Sequence, residues 1–275
     1  MIKKNIVAFV ITFYPDEQLL SENLHSFYKN VDRIVVWDNT PNGSAITREI
    51  AIDYKAEYLT ENENKGISYV LNKAWIYAKN HGYDYLLTMD QDSIWKNFER
   101  YINIVTAPGA PHGIYGPEVR MSKVCTTKTF EKTDFVITSG MLISIDILNQ
   151  MNGYRSDFFV DGIDIEFCLR AKRNGIPTYR IRNCKMEQRF GTPQTVLILG
   201  IENHTTNYPW YRIKEIMKCH VLFLRHYPCS ILLRKRIIMT YFWKQPLKIL
   251  FLESNKKKKI SAYLKGLWEG LRCQA

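Results

Sequence analysis

The chain contains 275 residues, 46% of them hydrophobic, and carries a formal net charge of +11. This length suits one large α/β domain, or one domain with an extension. The six cysteines form no Cys-x-x-Cys pair, so their spacing excludes a disulfide framework and a cysteine zinc site and favours reduced thiols in a cytosolic protein. No Gly-x-Gly-x-x-Gly follows the first apolar run, which excludes a dinucleotide oxidoreductase.

The amino terminus predicts a buried strand rather than a signal peptide. The apolar run Ile6–Ile11 is too short to span a bilayer, and no small-residue cleavage site follows it. No other stretch reaches about 18 uncharged apolar residues. The sequence therefore predicts a cytoplasmic protein that is soluble or peripheral to the membrane.

The first 90 residues alternate between predicted strands and predicted helices. The first strand is a continuous apolar run, and apolar residues recur at helical spacing after it. The predicted strands are Ile6–Thr12, Arg33–Asp38, Glu57–Thr60 and Tyr85–Met89, and the predicted helices begin near Pro15, Ser44 and Gly66. This alternation predicts βαβ units and a parallel sheet, with ligands beyond the carboxyl ends of its strands.

The rest of the chain is less regular and then becomes helical. A strand is predicted at Phe135–Thr138, and a helix at Ile163–Asn174 that Gly175 ends. After about Thr206 the pattern changes to long segments rich in Leu, Ile, Tyr, Trp, Lys and Arg. We therefore expect an α/β domain over residues 1–206 and a basic, amphipathic helical extension over residues 207–275.

Two carboxylates, Asp90 and Asp92, follow the fourth predicted strand. Carboxylates at a strand end can share a hard divalent cation such as Mg²⁺ or Mn²⁺, which also takes phosphate oxygens and water as ligands. Such a cation neutralises a diphosphate leaving group. The alternative is that Asp92 or Ser93 caps the next helix. The position at the end of a strand in a βαβ series favours the metal site.

Three acids, Asp161, Asp164 and Glu166, gather where the Ile163–Asn174 helix is predicted to start. A general base must lie on a rigid element, within hydrogen-bond reach of the hydroxyl that it deprotonates. The alternatives are acids favoured by the helix macrodipole and, for Glu166, an ion pair with Arg170 one turn later.

The loop Glu61–Gly66 is rich in asparagine and ends in glycine just before a predicted helix. This composition makes tight turns, and it can present backbone amides to a base or a phosphate. By itself the loop predicts only a turn.

Six short segments therefore follow one another in a fixed order along the chain. They are Thr12-Phe13-Tyr14-Pro15, Val35-Val36-Trp37-Asp38-Asn39, Asn62-Glu63-Asn64-Lys65-Gly66-Ile67, Leu86-Leu87-Thr88-Met89-Asp90-Gln91-Asp92-Ser93, Ser139-Gly140 and Phe159-Val160-Asp161-Gly162-Ile163-Asp164-Ile165-Glu166-Phe167-Cys168-Leu169-Arg170. This order resembles the family 2 inverting glycosyltransferases, most of all the bacterial rhamnosyltransferase branch, in which Asp-Gln-Asp-Ser is typical. The resemblance covers roughly residues 5 to 191, and more weakly residues to about 225. It implies the GT-A fold, a Rossmann-like mixed, mostly parallel sheet flanked by helices.

The resemblance implies roles on the donor side of the site. Thr12 and Asp38 would line the nucleoside pocket, and Asn64 and Gly66 would shape the loop beside that pocket. Asp90 would hold the ribose or base side of the donor.

The resemblance also implies roles at the metal and the acceptor. Asp92 would bind the divalent cation, and Asp164 matches the catalytic Asp that removes the acceptor proton. The acceptor oxygen then attacks in one displacement and inverts the anomeric carbon. Asp161 would contact the acceptor, and Glu166 would support the site.

Two stretches depart from the pattern of the family. The family commonly has a His three residues before a Gly, and here the stretch Met186–Gly191 has Gln188, a poorer metal ligand. The family often shows Arg-x-Tyr-Tyr-x-x-Arg-Asn, of which Arg212 and a basic Lys218 remain. Gln188 and Arg212 are therefore candidate acceptor-side or supporting residues. His204 is a candidate substitute ligand, although a lone His is more often structural.

Cations concentrate between residues 212 and 272, among large apolar side chains, and include the run Lys256–Lys259. This mixture predicts helices that lie in a membrane interface, with basic residues attracted to anionic lipids. The alternative is that the helices pack on the α/β domain or on a second subunit. A nucleic-acid partner is not expected, because no recognition motif accompanies the charge.

The sequence thus predicts an inverting glycosyltransferase that acts in cell-surface polysaccharide synthesis. It would transfer a sugar, with rhamnose favoured, from dTDP-rhamnose or a UDP-sugar to a glycan or lipid-linked acceptor, with Mg²⁺ or Mn²⁺ as cofactor; oligomerisation is left open. The alternative is a non-catalytic relative that binds or scaffolds a glycan assembly complex, with the changes at Gln188 and Cys219 marking lost activity. The retained Asp90, Asp92 and Asp164 argue against that alternative.

Overall fold

The computed structural model describes residues 5–119, 128–188, 194–198 and 201–273, and only the backbone of residues 194–198, 201, 203 and 204. The chain divides into two compact units, Met1–Gln188 and Arg189–Ala275. The division falls before the change of sequence pattern near Thr206. The second unit therefore includes a short hairpin as well as the helical extension.

A mixed sheet of nine strands runs through the described part of the first unit. The strands are β1 (Ile6–Thr12), β2 (Arg33–Asp38), β3 (Glu57–Thr60), β4 (Tyr85–Asp90), β5 (Ser93–Trp95), β6 (Ile114–Glu118), β7 (Phe130–Thr133), β8 (Met141–Ser144) and β9 (Thr178–Gln188). Their order is β3-β2-β1-β4-β8-β6-β9-β5, and β7 pairs with β9. The first four strands are parallel, whereas β8 pairs antiparallel with β4. The predicted α/β fold is confirmed.

Helices flank this sheet, and β1 is buried along its whole length. They are α1 (Glu17–His25), α2 (Ala45–Asp53), α3 (Ile67–Asn80), α4 (Phe98–Val105), α5 (Ile145–Met151) and α6 (Ile163–Arg173). Side-chain caps fix three of the starts, because Asp16 accepts a hydrogen bond from the Leu19 N–H, Ser44 accepts one from the Thr47 N–H and Ser144 accepts one from the Ile147 N–H. The connections from β1 to α1 and from β2 to α2 therefore end at defined residues.

The strand predicted at Phe135–Thr138 is wrong, because that segment adopts no regular structure and the neighbouring strands are β7 and β8. Its backbone is held by side chains rather than by a strand ladder. The Thr138 carbonyl accepts from the Thr88 hydroxyl at 2.5 Å, and the Val136 carbonyl accepts from the Cys168 thiol at 3.9 Å. Gly140, with φ of +77°, then turns the chain into β8.

The second unit combines a hairpin with a helical array. Its elements are β10 (Gln194–Ile198), β11 (Ile201–Thr205), α7 (Trp210–His226), α8 (Ile231–Ile237), a π-helical segment (Ile238–Lys244), α9 (Gln245–Phe251) and α10 (Lys256–Arg272). Gly266 of α10 lies so close to α7 that a Cβ there would fall 2.3 Å from the Lys214 carbonyl oxygen. Small residues therefore allow these two helices to pack closely.

Among the helices that the structure describes, none combines the length and the apolar character needed to cross a bilayer.

Candidate active site

The register of the parallel strands brings the predicted donor residues to one edge of the sheet. Thr12, the last residue of β1, pairs with Asp38 at the end of β2, and Asp38 pairs with Thr60 at the end of β3. Ile11 pairs with Asp90, the last residue of β4. This edge is where parallel sheets bind ligands.

The buried Asp38 carboxylate organises the turn between β2 and α2. It accepts hydrogen bonds from the Thr40 N–H at 2.9 Å, the Ser44 N–H at 2.6 Å and the Tyr58 hydroxyl at 2.9 Å. The Thr12 hydroxyl lies 3.4 Å from the same carboxylate. These bonds fix the Asp38 side chain and the backbone around it at the end of β2. A direct contact of Thr12 or Asp38 with the nucleoside stays a prediction.

The Asn64–Gly66 turn is tied both to the end of β2 and to the segment before α6. Asn64 Oδ1 accepts from the Gly66 N–H at 2.9 Å, and Asn39 Oδ1 accepts from the Lys65 N–H at 3.3 Å. The next residue, Ile67, donates its N–H to the Phe159 carbonyl at 2.7 Å. The turn therefore links the predicted donor loop to the segment that carries Asp161 and Asp164.

We expect Gly66→Ala to destabilise the protein more than Gly82→Ala does. Both glycines have positive φ, +80° and +70°, but a Cβ at Gly66 would lie 2.6 Å from the Phe159 ring, whereas one at Gly82 meets open space. The expected losses of unfolding free energy are about 2–4 kcal/mol at Gly66 and about 1 kcal/mol at Gly82. Urea unfolding of both variants measures the difference. Equal losses would show that Phe159 does not restrain this turn.

The Asp90–Ser93 turn is fixed by polar side chains of α1 and of the segment before β8, and by Gln91 of the turn itself. Asn23 of α1 donates to the Asp90 carbonyl at 2.9 Å, and the Asp90 N–H donates to the Ser139 hydroxyl oxygen at 3.0 Å. Ser139 in turn donates to the Ser93 hydroxyl oxygen at 2.7 Å. Gln91 holds the turn to the end of β1, since its Oε1 accepts from the Phe13 N–H at 2.7 Å.

The helix-cap interpretation of this turn is wrong. Ser93 begins β5, and the next helix, α4, starts at Phe98 after Asn97. Asn23 is not among the residues predicted for the site. The sequence does contain a signal for it, because Asn23 is a polar residue between Leu20 and Leu24 on the buried, apolar face of α1.

The structure brings Asp90, Asp92 and Asp164 close enough for their charges to interact. Burial, together with the charges of Asp92 and Asp164, raises the pKa of Asp90 to about 7 against an opposing hydrogen bond from Gln188. Burial also raises the pKa of Asp164 to about 6, with an opposing bond from the Ile165 N–H and an added effect of the Asp161 charge. Asp164 therefore loses its proton before Asp90 does, and at neutral pH it is largely ionised.

Gln188 lies beside this acidic cluster because β5 and β9 pair antiparallel, with Ser93 opposite Gln188. Its Nε2 donates to Asp90 Oδ2 at 2.8 Å. Its Oε1 is buried and accepts no hydrogen bond from the described residues. The position that departs from the family pattern thus adds an amide oxygen to the carboxylates of the site.

These donors fit a divalent cation of the Mg²⁺ type. Such an ion is held by one or two carboxylates together with the phosphates of a substrate, and it prefers oxygen ligands throughout. Asp92, Asp90 and the Gln188 amide oxygen offer ligands of that kind. Within the described residues no group of three or more His, Cys, Asp or Glu side chains is arranged to hold a metal ion by itself. Substrate phosphates would complete the ligand set, as this type of site requires.

The acids of α6 divide into two roles. Asp164 and Glu166 both lie in the first turn, where the macrodipole favours negative charge. Glu166 is buried and pairs with Arg170 at 2.7 Å, while Arg170 also donates to the Met151 and Gly153 carbonyls at 2.6 and 2.9 Å. The ion-pair interpretation of Glu166 is therefore confirmed, and this pair anchors α6 on the end of α5. Asp164, which faces the acidic cluster, remains the candidate base.

The remaining predicted residues belong to the second unit or to undescribed parts of the chain. Arg212 belongs to α7 in the second unit, and its guanidinium lies over the Tyr208 ring at 4.3 Å. The stretch Arg189–Gly191 and the His204 side chain lie outside the described residues. The acceptor-side role of Arg212 and the ligand role of His204 stay predictions.

A sequence profile described as "Glycosyl transferase family 2" matches residues 8–242. The chain belongs to this family. A relative from Shigella flexneri, "dTDP-rhamnosyl transferase RfbF", is 24% identical over 98% of this chain and 96% of its own length. These findings confirm the predicted family and its rhamnosyltransferase branch, and they support a nucleotide-sugar glycosyltransferase.

Solved structures share the fold of this glycosyltransferase. S. aureus TarS 1–349 in complex with UDP has a TM-score of 0.60 at 12% identity, over 98% of this chain and 81% of that one. Mannosyltransferase PcManGT from Pyrobaculum calidifontis, in complex with GDP-Man and Mn²⁺, has a TM-score of 0.59 at 12% identity, over 100% and 77%. The chain spans about half, 49%, of the longer S. aureus TarS chain, with a TM-score of 0.55 at 12% identity. The GT-A architecture is therefore confirmed.

Proposed function

We propose that this protein transfers a sugar, with rhamnose favoured, from a nucleotide-diphosphate donor to a hydroxyl of a glycan or lipid-linked acceptor in cell-surface polysaccharide synthesis. The observation that carries the proposal is the convergence of Asp90, Asp92 and Asp164 at the carboxyl edge of a parallel sheet. The relationship to a rhamnosyltransferase supports rhamnose as the sugar, with dTDP-rhamnose as the first donor and a UDP-sugar as the second. We propose that it acts in the cytoplasm, at the inner face of the cell membrane.

In the proposed mechanism Asp164 is the general base. Its carboxylate takes the proton of the acceptor hydroxyl while the acceptor oxygen attacks the anomeric carbon. The bond from that carbon to the nucleoside diphosphate breaks in the same displacement, so the anomeric configuration inverts. A raised pKa of about 6 leaves Asp164 ionised at neutral pH yet more basic than an ordinary aspartate.

The other residues bind and orient. Asp92 and Asp90, with Gln188, would hold the Mg²⁺ or Mn²⁺ ion, which when bound neutralises the charge of the departing diphosphate. Thr12, Asp38, Asn64 and Gly66 would shape the nucleoside pocket from the ends of β1 and β2 and from the loop before α3. Glu166 positions Asp164 through its ion pair with Arg170, which fixes α6. Asp161 and Arg212 are assigned to the acceptor.

Donor identity is testable by thermal unfolding in the presence of nucleotide sugars. A ligand at about 100 times its Kd stabilises the native protein by about 2.7 kcal/mol, which raises the Tm of a chain of this size by about 5 °C or more. We expect dTDP-rhamnose with Mg²⁺ or Mn²⁺ to give such a shift, and dTDP-rhamnose with EDTA to give little. A larger rise in Tm with a UDP-sugar would show that the donor sugar is not rhamnose but the sugar of that nucleotide.

The competing function is that of a non-catalytic scaffold protein. It has the same fold and would also bind a nucleotide sugar, so binding alone does not separate the two. Cation-dependent hydrolysis of the donor in the absence of acceptor separates the two functions, because hydrolysis requires an intact site for the cation and the leaving group. Donor binding without hydrolysis and without transfer would favour the scaffold.

A further inference from the structure

The helical stretch from Ile231 to Phe251 is continuous and carries two apolar faces. α8, the π-helical segment and α9 follow one another without a break, since the residues at both junctions keep right-handed helical dihedrals. Leu233, Ile237 and Ile249 are buried within the second unit. A second set of large apolar side chains is exposed: Ile231, Leu232, Ile238, Met239, Trp243, Leu247, Leu250 and Phe251. Exposure reaches 80% at Leu232 and 64% at Trp243.

The π-helical segment collects these exposed side chains on one side. Backbone hydrogen bonds from residue i to i+5 put more residues in each turn than the 3.6 of an α-helix. Each residue therefore turns the chain through a smaller angle, and α9 is rotated about the helix axis relative to its position in an uninterrupted α-helix. With this segment, the eight exposed apolar residues occupy roughly a third of the helix circumference, whereas an uninterrupted α-helix would spread them over more than half. Pro246 gives the physical reason, because its ring disfavours a regular α-turn just before it. We name the exposed set the apolar stripe.

The charges around the apolar stripe identify its partner. Residues 231–252 include five basic residues, Arg234, Lys235, Arg236, Lys244 and Lys248, and no Asp or Glu. Lys235 and Lys244 are exposed, and the same helix geometry places both on the side of the helix that carries the apolar stripe. Long basic side chains can place their charge among lipid headgroups while their stems cover apolar surface, and Trp243 suits the same boundary. A second copy fits poorly, because a two-fold interface would bring both sets of cations together.

We propose that the apolar stripe docks this protein on an anionic lipid bilayer, with the Ile231–Phe251 helix lying in the membrane interface. Apolar side chains would enter the headgroup and acyl-chain boundary, and the basic residues would contact lipid phosphates. A lipid-linked acceptor would then be met at the membrane surface. The docking surface lies wholly in the second unit and does not depend on the proposed sugar transfer.

The test is vesicle flotation of the full-length protein with phosphatidylglycerol-containing vesicles and with pure phosphatidylcholine vesicles. We expect the wild-type protein to bind the anionic vesicles at low salt, and the double variant Trp243→Glu/Leu247→Glu to bind about tenfold or more weakly. Lys235→Glu/Lys244→Glu should lose a comparable part of the anionic binding. Ile52→Glu is the matched control, because Ile52 is 67% exposed on α2 in the first unit, and it should bind like the wild type.

All substituted side chains are exposed, and circular dichroism should show that the variants keep the wild-type fold. Donor hydrolysis read in parallel distinguishes loss of docking from failure of the proposed function. The proposal is overturned if wild-type protein does not bind anionic vesicles, or if the stripe variants bind as tightly as Ile52→Glu. It is also overturned if the wild-type protein is a dimer by light scattering that Trp243→Glu/Leu247→Glu converts to monomers, since a second copy then covers the stripe.

Discussion

Asp164→Asn should abolish sugar transfer while the variant still binds its nucleotide-sugar donor. The amide is nearly isosteric with the carboxylate but cannot accept the acceptor proton, so kcat should fall about a thousandfold. Donor Kd, measured by calorimetry with the cation present, should change little, because Asp164 is assigned to the acceptor and not to the diphosphate. Asp157→Asn is a matched control in the same segment, since Asp157 pairs with Arg155 and its side chain is 51% exposed. Turnover of Asp164→Asn at the wild-type rate would remove Asp164 from the mechanism.

The assignment of Asp164 as the general base also predicts how kcat depends on pH. Burial raises the pKa of Asp164 to about 6, so the base is protonated and inactive below that pH. We expect kcat at saturating donor and cation to rise as pH increases through about 6 and to level off near neutral pH. The value of kcat/KM should continue to rise up to a higher pH than kcat does, because burial and neighbouring charges raise the pKa of Asp90 in the free enzyme to about 7. A flat kcat profile between pH 5 and pH 7 would contradict the base role.

A raised carboxyl pKa also has a cost in stability. The contribution of Asp164 to stability is fully present below the unfolded pKa and is lost as pH rises through the folded value of about 6. Above that pH the Asp164→Asn protein should therefore be more stable than the wild type, by about 1 kcal/mol after allowance for the partial exposure of the side chain. The inactive variant would then have the higher Tm at pH 8 and nearly the same Tm at pH 4. A gain in stability on removing the carboxylate is expected at a functional site, whereas removing one partner of a structural ion pair would lower stability.

The parts of the fold that were predictable are those that local sequence determines. β1, β2 and β4 read as short apolar runs because most of their side chains are buried on both faces, and Asp38 and Asp90 end their strands as predicted. Parallel register then places these ends at a common edge whatever the intervening helices contain. Because Asp90 and Asp92 directly follow the apolar part of β4, the sequence alone predicts acidic side chains at this edge.

The parts that were missed depend on contacts between distant segments. The Phe135–Thr138 backbone is held by Thr88 and Cys168, whose positions follow only from the complete fold. Asn23 contacts the Asp90 carbonyl across 67 residues of sequence, and Gln91 contacts Phe13 across 78. Hydrophobic periodicity contains no information about such pairings. It also could not reveal that Gln188 would lie beside Asp90, because that depends on the antiparallel register of β5 and β9.

Asp92→Asn should produce the reverse of the Asp164→Asn result. Removing the carboxylate assigned to the cation should weaken donor binding in Mg²⁺ or Mn²⁺ about a hundredfold, whereas donor binding in EDTA should match that of the wild type. Titration of the donor with and without the cation measures the two constants, and Asp164→Asn serves as the control because it removes an acid of the same cluster. The two variants together separate cation binding from proton transfer, which neither could do alone. If Asp92→Asn kept the full cation dependence, the ion would have to be held by Asp90 and Gln188, and the site would be organised around the end of β4 rather than around the turn after it.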